Sequence, residues 1–184
     1  MHIKPTDHRA RVLEVLESHR AFDGDEAQDV DFITRFVRTH ADCFGKDNSR
    51  GHITGSAFVL DPTGRILLTF HRKLQRWLQL GGHSEVDEVD PSQTARREAL
   101  EESGLDFIEF HPTIGRSPID IDVHLIPENT KEGAHHHLDF RYVFFAPDPD
   151  AIVCGEESID LRWFELTETA NLGFDPALER AIGK

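Results

Sequence analysis

The feature that most constrains this chain is a short helix predicted between residues 90 and 105. Asp90 is suited to the N-cap, Pro91 to the first helical position, and Gln93 to the return partner of a capping box. Gly104 is the residue type that most readily adopts the left-handed conformation that ends a helix. Signals at both ends therefore define one helix and its boundaries.

Three glutamates share one face of this predicted helix. Glu98, Glu101 and Glu102 stand at positions i, i+3 and i+4, and side chains at that spacing are neighbours on a helix surface. Because like charges repel at this spacing, they would weaken an isolated helix. A bound cation would remove the repulsion, and carboxylate oxygens are ligands that Mg²⁺ and Mn²⁺ prefer. The face therefore predicts a divalent-cation site, with a solvated acidic surface as the alternative.

A glycine pair precedes the helix. Gly81 and Gly82 follow the apolar segment 77–80, which is predicted to form a strand, and lead into a short acidic loop. Since glycine has no side chain, its backbone carbonyl can approach the same cation closely. A solvated acidic surface does not explain this pair.

The residues of the helix resemble a known family. The segment Arg97–Leu105, REALEESGL, resembles the REUxEExGU half of the Nudix box, where U is aliphatic and Ala99 is a mild variant. Gly82 and Glu88 match the opening G-x5-E of the box. Eight residues separate this glutamate from the arginine, where the family has seven, and we place the extra residue in the loop before the helix. The helix itself keeps the family's spacing.

The resemblance implies an α/β fold, with a mixed β-sheet sandwiched between helices. It implies hydrolysis of a nucleoside diphosphate linked to another moiety, with Mg²⁺ or Mn²⁺ as cofactor and a small-molecule pyrophosphate as substrate. Water would attack one phosphorus of the pyrophosphate. The substrate itself is not identified by these residues.

The resemblance also implies roles for residues that match the box. Glu101 and Glu102 would bind the metal together with the carbonyl of Gly82. Glu98 would bind metal or take the proton from water, and Arg97 would hold the glutamates in place by charge-assisted hydrogen bonds.

Two loop glutamates are further candidates. Glu85, between the glycine pair and the helix, would add a metal ligand through water. Family members often place one more metal-binding or base glutamate in the loop that here contains Glu157, although a solvated loop acid is the favoured interpretation of this residue.

A second informative region consists of two alternating segments, 118–126 and 135–144. Alternation places polar side chains on one face of each predicted strand. These side chains are Asp120, Asp122 and His124 in the first strand and His135, His137, Asp139 and Arg141 in the second. If the strands pair antiparallel, the two sets lie side by side. The face then predicts either a transition-metal site, such as one for Zn²⁺, or contacts to substrate phosphates through Arg141 and protonated histidines.

Residues 1–50 are predicted to form an N-terminal helical extension, and residues 51–184 the Nudix hydrolase domain. Amphipathic patterns at 6–22 and 25–44 predict two helices, which pack on the domain or across a dimer interface in preference to forming a substrate lid. The other predicted elements are a hairpin at 52–70, a strand at 107–111, a last strand at 158–166 and a helical segment at 167–184.

Composition limits the partners and the compartment. The net charge of −14 disfavours binding to duplex nucleic acid or to an anionic membrane. Cys43 and Cys154 lie far apart in sequence and are interpreted as buried free thiols, which favours a reducing compartment. With no apolar run of membrane-spanning length, the chain is expected to be cytoplasmic. Dimers are frequent in the family, so a homodimer is left open.

Two functions from other classes compete with the hydrolase. One is a non-catalytic Nudix module that senses a nucleotide, which the complete set of box glutamates argues against. The other is a metal-binding protein built on the His and Asp residues of the alternating strands, which tightly held zinc would support.

Overall fold

The computed structural model describes residues 5–46, 48–85, 87–128, 133–155 and 158–184. The helices within these ranges are α1 (Pro5–Ser18), α2 (Gly24–Thr39), α3 (Pro91–Ser103), α4 (Leu166–Thr169) and α5 (Pro176–Ile182), with a 3-10 turn at Pro149–Ala151. The strands are β1 (Gly51–Leu60), β2 (Ile66–His71), β3 (Arg76–Leu78), β4 (Leu80–His83), β5 (Glu109–Phe110), β6 (Asp120–Ile126), β7 (His135–Phe145) and β8 (Ser158–Phe164).

Strand β1 lies at the centre of one mixed sheet. It pairs in parallel with β7 along its whole length. Its other edge is shared, because β4 pairs antiparallel with residues 54–57 and β2 with residues 59–60. The outer edge of β7 pairs antiparallel with β6 and β5, while β3 and β8 pair with β2. This is the mixed sheet between helices that the resemblance implied.

The helix with the acidic face packs directly on β1. A Cβ atom at Gly55 would lie 2.3 Å from the carbonyl oxygen of Pro91 and 2.8 Å from the nitrogen of Ala95, so only glycine permits this approach. Ala95 and Ala99 of α3 join the hydrophobic core on this face of the sheet. The helix is therefore fixed against the strand that pairs with the Gly81–Gly82 segment.

The two N-terminal helices contribute to the same core. Val12 and Leu16 of α1 and Ile33 and Val37 of α2 are buried with Ile53 of β1. The helices thus pack on the sheet, one of the two arrangements that the sequence favoured. A second hydrophobic cluster covers the opposite face of the sheet, where α5 packs.

Several predicted boundaries are wrong. The first helix ends at Ser18 instead of residue 22, and the second ends at Thr39, followed by a turn. The single strand predicted at 77–80 is divided at Gln79, because the chain changes partner there from β2 to β1. The strand predicted at 107–111 is reduced to Glu109–Phe110.

Both cysteines are free, as predicted, but they differ in exposure. Cys43 is buried, whereas Cys154 is exposed in the segment before β8, which lies outside the core. The interpretation of Cys154 as a buried thiol was therefore wrong. Among the helices that the structure describes, none is long and apolar enough to cross a membrane.

Candidate active site

Helix α3 begins and ends where the sequence indicated. The Asp90 side chain accepts a hydrogen bond from the backbone N–H of Ser92, and Gly104 adopts φ 68° while its N–H donates to the carbonyl of Leu100. The return contact differs from the predicted capping box. Gln93 accepts from the N–H of Val89, one residue before the N-cap.

The glycine pair lies against the acidic face of α3. A Cβ atom at Gly82 would be 2.5 Å from Oε1 of Glu98, so the strand backbone touches this carboxylate. The N–H of Gly81 donates to Oε2 of Glu102 at 3.0 Å. Glu101 is the exposed member of the three glutamates. The fold therefore brings Glu98 and Glu102 against the glycine backbone.

Arg97 connects the carboxylates of the site. Its Nη1 donates to Glu98 at 2.9 Å and to Glu101 at 3.0 Å, and its Nε donates to Glu88 at 2.9 Å. Its Nη2 donates to the carbonyl oxygen of His83 at 2.8 Å. One guanidinium thus spans the helix, the preceding loop and the end of β4.

The loop glutamates have different environments. Glu88 is buried and also accepts hydrogen bonds from the Thr94 hydroxyl and from the N–H of Glu85. The side chain of Glu85 is exposed, while its backbone N–H donates to the Glu88 carboxylate and its carbonyl accepts from the N–H of Glu88. The expectation for Glu157 falls outside the described residues.

Burial and like charges perturb the carboxyl group of Glu98. Burial raises its pKa, the Arg97 guanidinium lowers it, and the neighbouring charges of Glu101 and Glu88 raise it again, so the pKa ends above its ordinary value. A cation near this carboxylate would favour its charged form. The carboxylates and the Gly82 backbone together form an oxygen donor set that suits Mg²⁺ or Mn²⁺.

An open groove of about 590 Å³ runs beside Glu101. Arg96, Arg97 and Arg116 line it, and the Arg116 guanidinium lies over the Phe110 ring. The groove therefore carries positive charge next to the carboxylates.

The family model of the NUDIX domain matches residues 51–182. The chain belongs to the Nudix family. The matched residues include β1, the glycine pair, α3 and both alternating strands. No curated protein matches the chain significantly.

Solved structures share the Nudix fold of this chain. A NUDIX-family hydrolase from Clostridium perfringens is 28% identical, covers 72% of this chain and 94% of its own, and superposes with a TM-score of 0.51. The Ap4A hydrolase of C. elegans is 16% identical, with a TM-score of 0.53 and coverage of 71% and 92%. The dihydroneopterin triphosphate pyrophosphohydrolase of E. coli is 16% identical, with a TM-score of 0.52 and coverage of 71% and 91%.

Beyond the Nudix box, the two alternating strands pair antiparallel, the arrangement under which their polar side chains were expected to lie side by side. Asp122 lies opposite Asp139, and His124 lies opposite His137. Within this face, Nδ1 of His124 and Oδ2 of Asp122 are 2.8 Å apart. The hydroxyls of Thr54 and Ser56, from β1, donate to Asp139.

Arg141 is buried among three carboxylates. Its side chain is 3% exposed and forms ion pairs with Asp120, Asp122 and Asp139 at 2.8 to 3.2 Å. Its Nη1 also donates to the carbonyl of Ala177 in α5. Because these acceptors surround the guanidinium, the suggested contact with a substrate phosphate is not supported, and the residue joins the sheet to the C-terminal helix.

The histidine face is larger than the sequence indicated. Besides His124, His135 and His137, it includes His52 and His83, whose rings lie 4.9 Å apart. The β1 sequence alternates in the same way as the other two strands, but only its parallel pairing with β7 places His52 opposite His137. That pairing was not evident from the sequence.

Proposed function

We propose that this Nudix protein is a divalent-metal-dependent hydrolase that cleaves a pyrophosphate linkage in a nucleoside diphosphate derivative. The observation that carries the proposal is the contact between the acidic face of α3 and the Gly81–Gly82 backbone, with Arg97 bonded to Glu98 and Glu101. A solvated acidic helix needs neither the close glycine backbone nor the shared guanidinium.

The residues present fit a hard divalent cation. Glu98, Glu101 and Glu102, together with the Gly82 carbonyl, would hold Mg²⁺ or Mn²⁺, and Glu85 would contribute through water. When bound, the cation offsets charge on the phosphoryl oxygens and on the leaving group.

Side chains of the protein position the attacking water, the carboxylates and the substrate phosphates. Glu98 binds the metal or takes the proton from the attacking water, and its raised pKa suits a group that must accept a proton near neutral pH. Arg97 holds the carboxylates at fixed positions without touching the substrate. The groove lined by Arg96 and Arg116 offers positive charge for the phosphates of a substrate.

Proteins of the same fold support a broad class of substrates and not one compound. Two proteins of the same fold are named for Ap4A and for dihydroneopterin triphosphate, and both of those proteins are named as hydrolases. Phosphoanhydride compounds of this kind are therefore the first to test.

The test is a hydrolysis screen with a matched variant. Purified protein with Mg²⁺ or Mn²⁺ is given a panel of nucleotide pyrophosphates, and the two phosphorylated products of each cleavage are separated and measured for wild type and Glu102→Gln. We expect turnover in the wild type and a loss of about 100-fold or more in the variant, since metal-bound charge stabilisation contributes several kcal/mol. The amide oxygen of glutamine still accepts the Gly81 N–H, so the fold should persist.

The control is Glu179→Gln, an exposed glutamate on α5, which should behave like wild type. A folded Glu102→Gln protein with undiminished activity would refute the assignment. Ligand binding by thermal shift without any hydrolysis would favour the nucleotide-sensing module instead.

A further inference from the structure

A second cluster of metal-ligating side chains lies apart from the glutamates. One ring nitrogen from each of His52, His83 and His137 lies within 4.8 Å of the other two. The three ring centroids are 4.9 to 5.0 Å apart. No other group of this kind is found among the residues that the structure describes.

The sheet register explains why these side chains meet. His52 of β1 lies opposite His137 of β7 in the parallel ladder, and His83 of β4 lies opposite Thr54, two residues along β1. Residues two apart on a strand share a face, so three neighbouring strands each present one imidazole to the same side of the sheet. Gly82, the neighbouring residue on β4, faces the glutamates on the other side.

The buried member of the cluster lacks a hydrogen-bond partner. His52 is 1% exposed, and neither of its ring nitrogens has a hydrogen bond. Burying a polar group without a partner destabilises the folded state, so such a group in a native protein requires an explanation. A metal ion would give the lone pair of His52 a partner.

His135 adds a fourth imidazole at the edge of the cluster. Its Nδ1 lies 2.8 Å from the carbonyl oxygen of Gly133, an arrangement that orients Nε2 as the lone-pair nitrogen. That Nε2 is buried and also has no hydrogen-bond partner. Its ring lies 5.0 Å from His52, so it is the nearest candidate for a fourth coordination position.

We propose that His52, His83 and His137 bind one transition-metal ion of the Zn²⁺ type. Imidazole nitrogens suit Zn²⁺, whereas Mg²⁺ and Mn²⁺ prefer the oxygens of the α3 site, so the two sites differ in metal. At a Zn–N distance of about 2.0–2.1 Å, tetrahedral ligand atoms are about 3.4 Å apart, so the rings must close slightly around the ion.

The site also has a consequence for the proposed hydrolase, and this step rests on that function. His83 follows Gly82 directly, and its carbonyl accepts a hydrogen bond from Arg97. Metal binding by the His83 ring would therefore fix the end of β4, and with it the Gly82 backbone and the arginine. The histidines act here as positioning residues.

The experiment measures zinc directly, without reference to activity. Protein stripped with a chelator is titrated with Zn²⁺ against a chromophoric competitor, and bound metal is counted by mass spectrometry. We expect one Zn²⁺ per wild-type chain. When Co²⁺ replaces Zn²⁺, we expect the visible absorption bands that are typical of tetrahedral Co²⁺. Because His83 is exposed, His83→Ala should fold. We expect its Zn²⁺ affinity to fall at least about 100-fold, since loss of a residue that merely orients a ligand already lowers metal affinity about 10–100-fold.

Two controls separate this site from the glutamates. His136→Ala changes a histidine on β7 that contacts Phe32 on the other face of the sheet, and should leave Zn²⁺ binding unchanged. Glu102→Gln should likewise keep one Zn²⁺ even if hydrolysis is lost, so failure of the hydrolase assignment would not affect the result. Absence of Zn²⁺ from the wild type, or equal affinity in folded His83→Ala, would overturn the proposal.

Discussion

At the scale of single residues, Arg97 connects three carboxylates of the site to the end of β4. Its guanidinium donates to Glu88, Glu98 and Glu101 and to the carbonyl of His83. Arginine suits this position because its planar fork presents several donors in fixed directions. Lysine has the same charge but only a single ammonium group, so it cannot hold all four acceptors at once.

Replacing this arginine should therefore impair activity more than stability. For Arg97→Lys we expect kcat/KM to fall about 10–100-fold, the range observed when a group that orients metal ligands is lost. Steady-state kinetics with a Mn²⁺ titration would measure this, with a higher Mn²⁺ requirement in the variant. Arg35→Lys, in an exposed ion pair on α2, serves as the control. Unchanged kinetics in Arg97→Lys would show that the carboxylates do not need the arginine.

At the scale of elements, the four-residue strand β4 contributes one residue to a site on each face of the sheet. Its pairing with β1 places Gly82 opposite Gly55 and His83 opposite Thr54. Successive residues of a strand point to opposite faces, so the glycine meets α3 and the histidine meets the imidazole cluster. A strand this short can therefore serve both sites.

The absence of a side chain at residue 82 should be essential for catalysis. In Gly82→Ala, the new Cβ would lie 2.5 Å from Oε1 of Glu98, so the carboxylate must move. Because a displacement of about 1 Å can cost about 100-fold in rate, we expect a loss of that order in kcat. The control is Gly24→Ala, where no atom lies within 4 Å of the added Cβ. Equal kcat values for wild type and Gly82→Ala would argue against this close contact in solution.

At the scale of the whole molecule, buried charges join the N-terminal helices to the sheet and to the C-terminal helix. Glu26 of α2 is fully buried and accepts hydrogen bonds from the N–H of Ile121 and from the ammonium of Lys184. The same ammonium donates to Asp120, which is also paired with Arg180 of α5. Removing one member of such a network leaves the others buried and unpaired.

This network predicts a dependence of stability on pH. Burial alone would raise the pKa of Glu26, but hydrogen bonds from Lys184 and from the Phe22 N–H lower it from 4.5 to about 2. Since the pKa is lower in the folded state, its contribution to stability is present above pH 4.5 and is lost as the pH falls towards 2.

We expect Glu26→Gln to lower the free energy of unfolding at pH 7 by about 3 kcal/mol. Urea unfolding at pH 7 and pH 3 would measure both the loss and a smaller pH effect in the variant than in wild type. Glu17→Gln, at an exposed position of α1, should match wild type at both pH values. A Glu26→Gln protein as stable as wild type at pH 7 would show that the network does not stabilise the fold.

Local signals in the sequence predicted helix α3 and the polar faces of β6 and β7. Asp90, Pro91 and Gly104 define the ends of α3, because capping interactions act within one turn of each helix end. The alternation of the two segments likewise indicated that, if they paired antiparallel, Asp122 and His124 would lie beside His137 and Asp139, and they do.

Which distant side chains meet could be learned only from the folded sheet. Arg141 lies at a polar position of an alternating strand, which is typical of a surface residue. In the fold, three carboxylates from two strands surround it. His52 and His83 join the imidazole cluster only through the pairing of β1 with β7 and with β4. The physical reason is that side-chain periodicity is a local property, whereas the register between distant strands depends on the packing of the whole sheet.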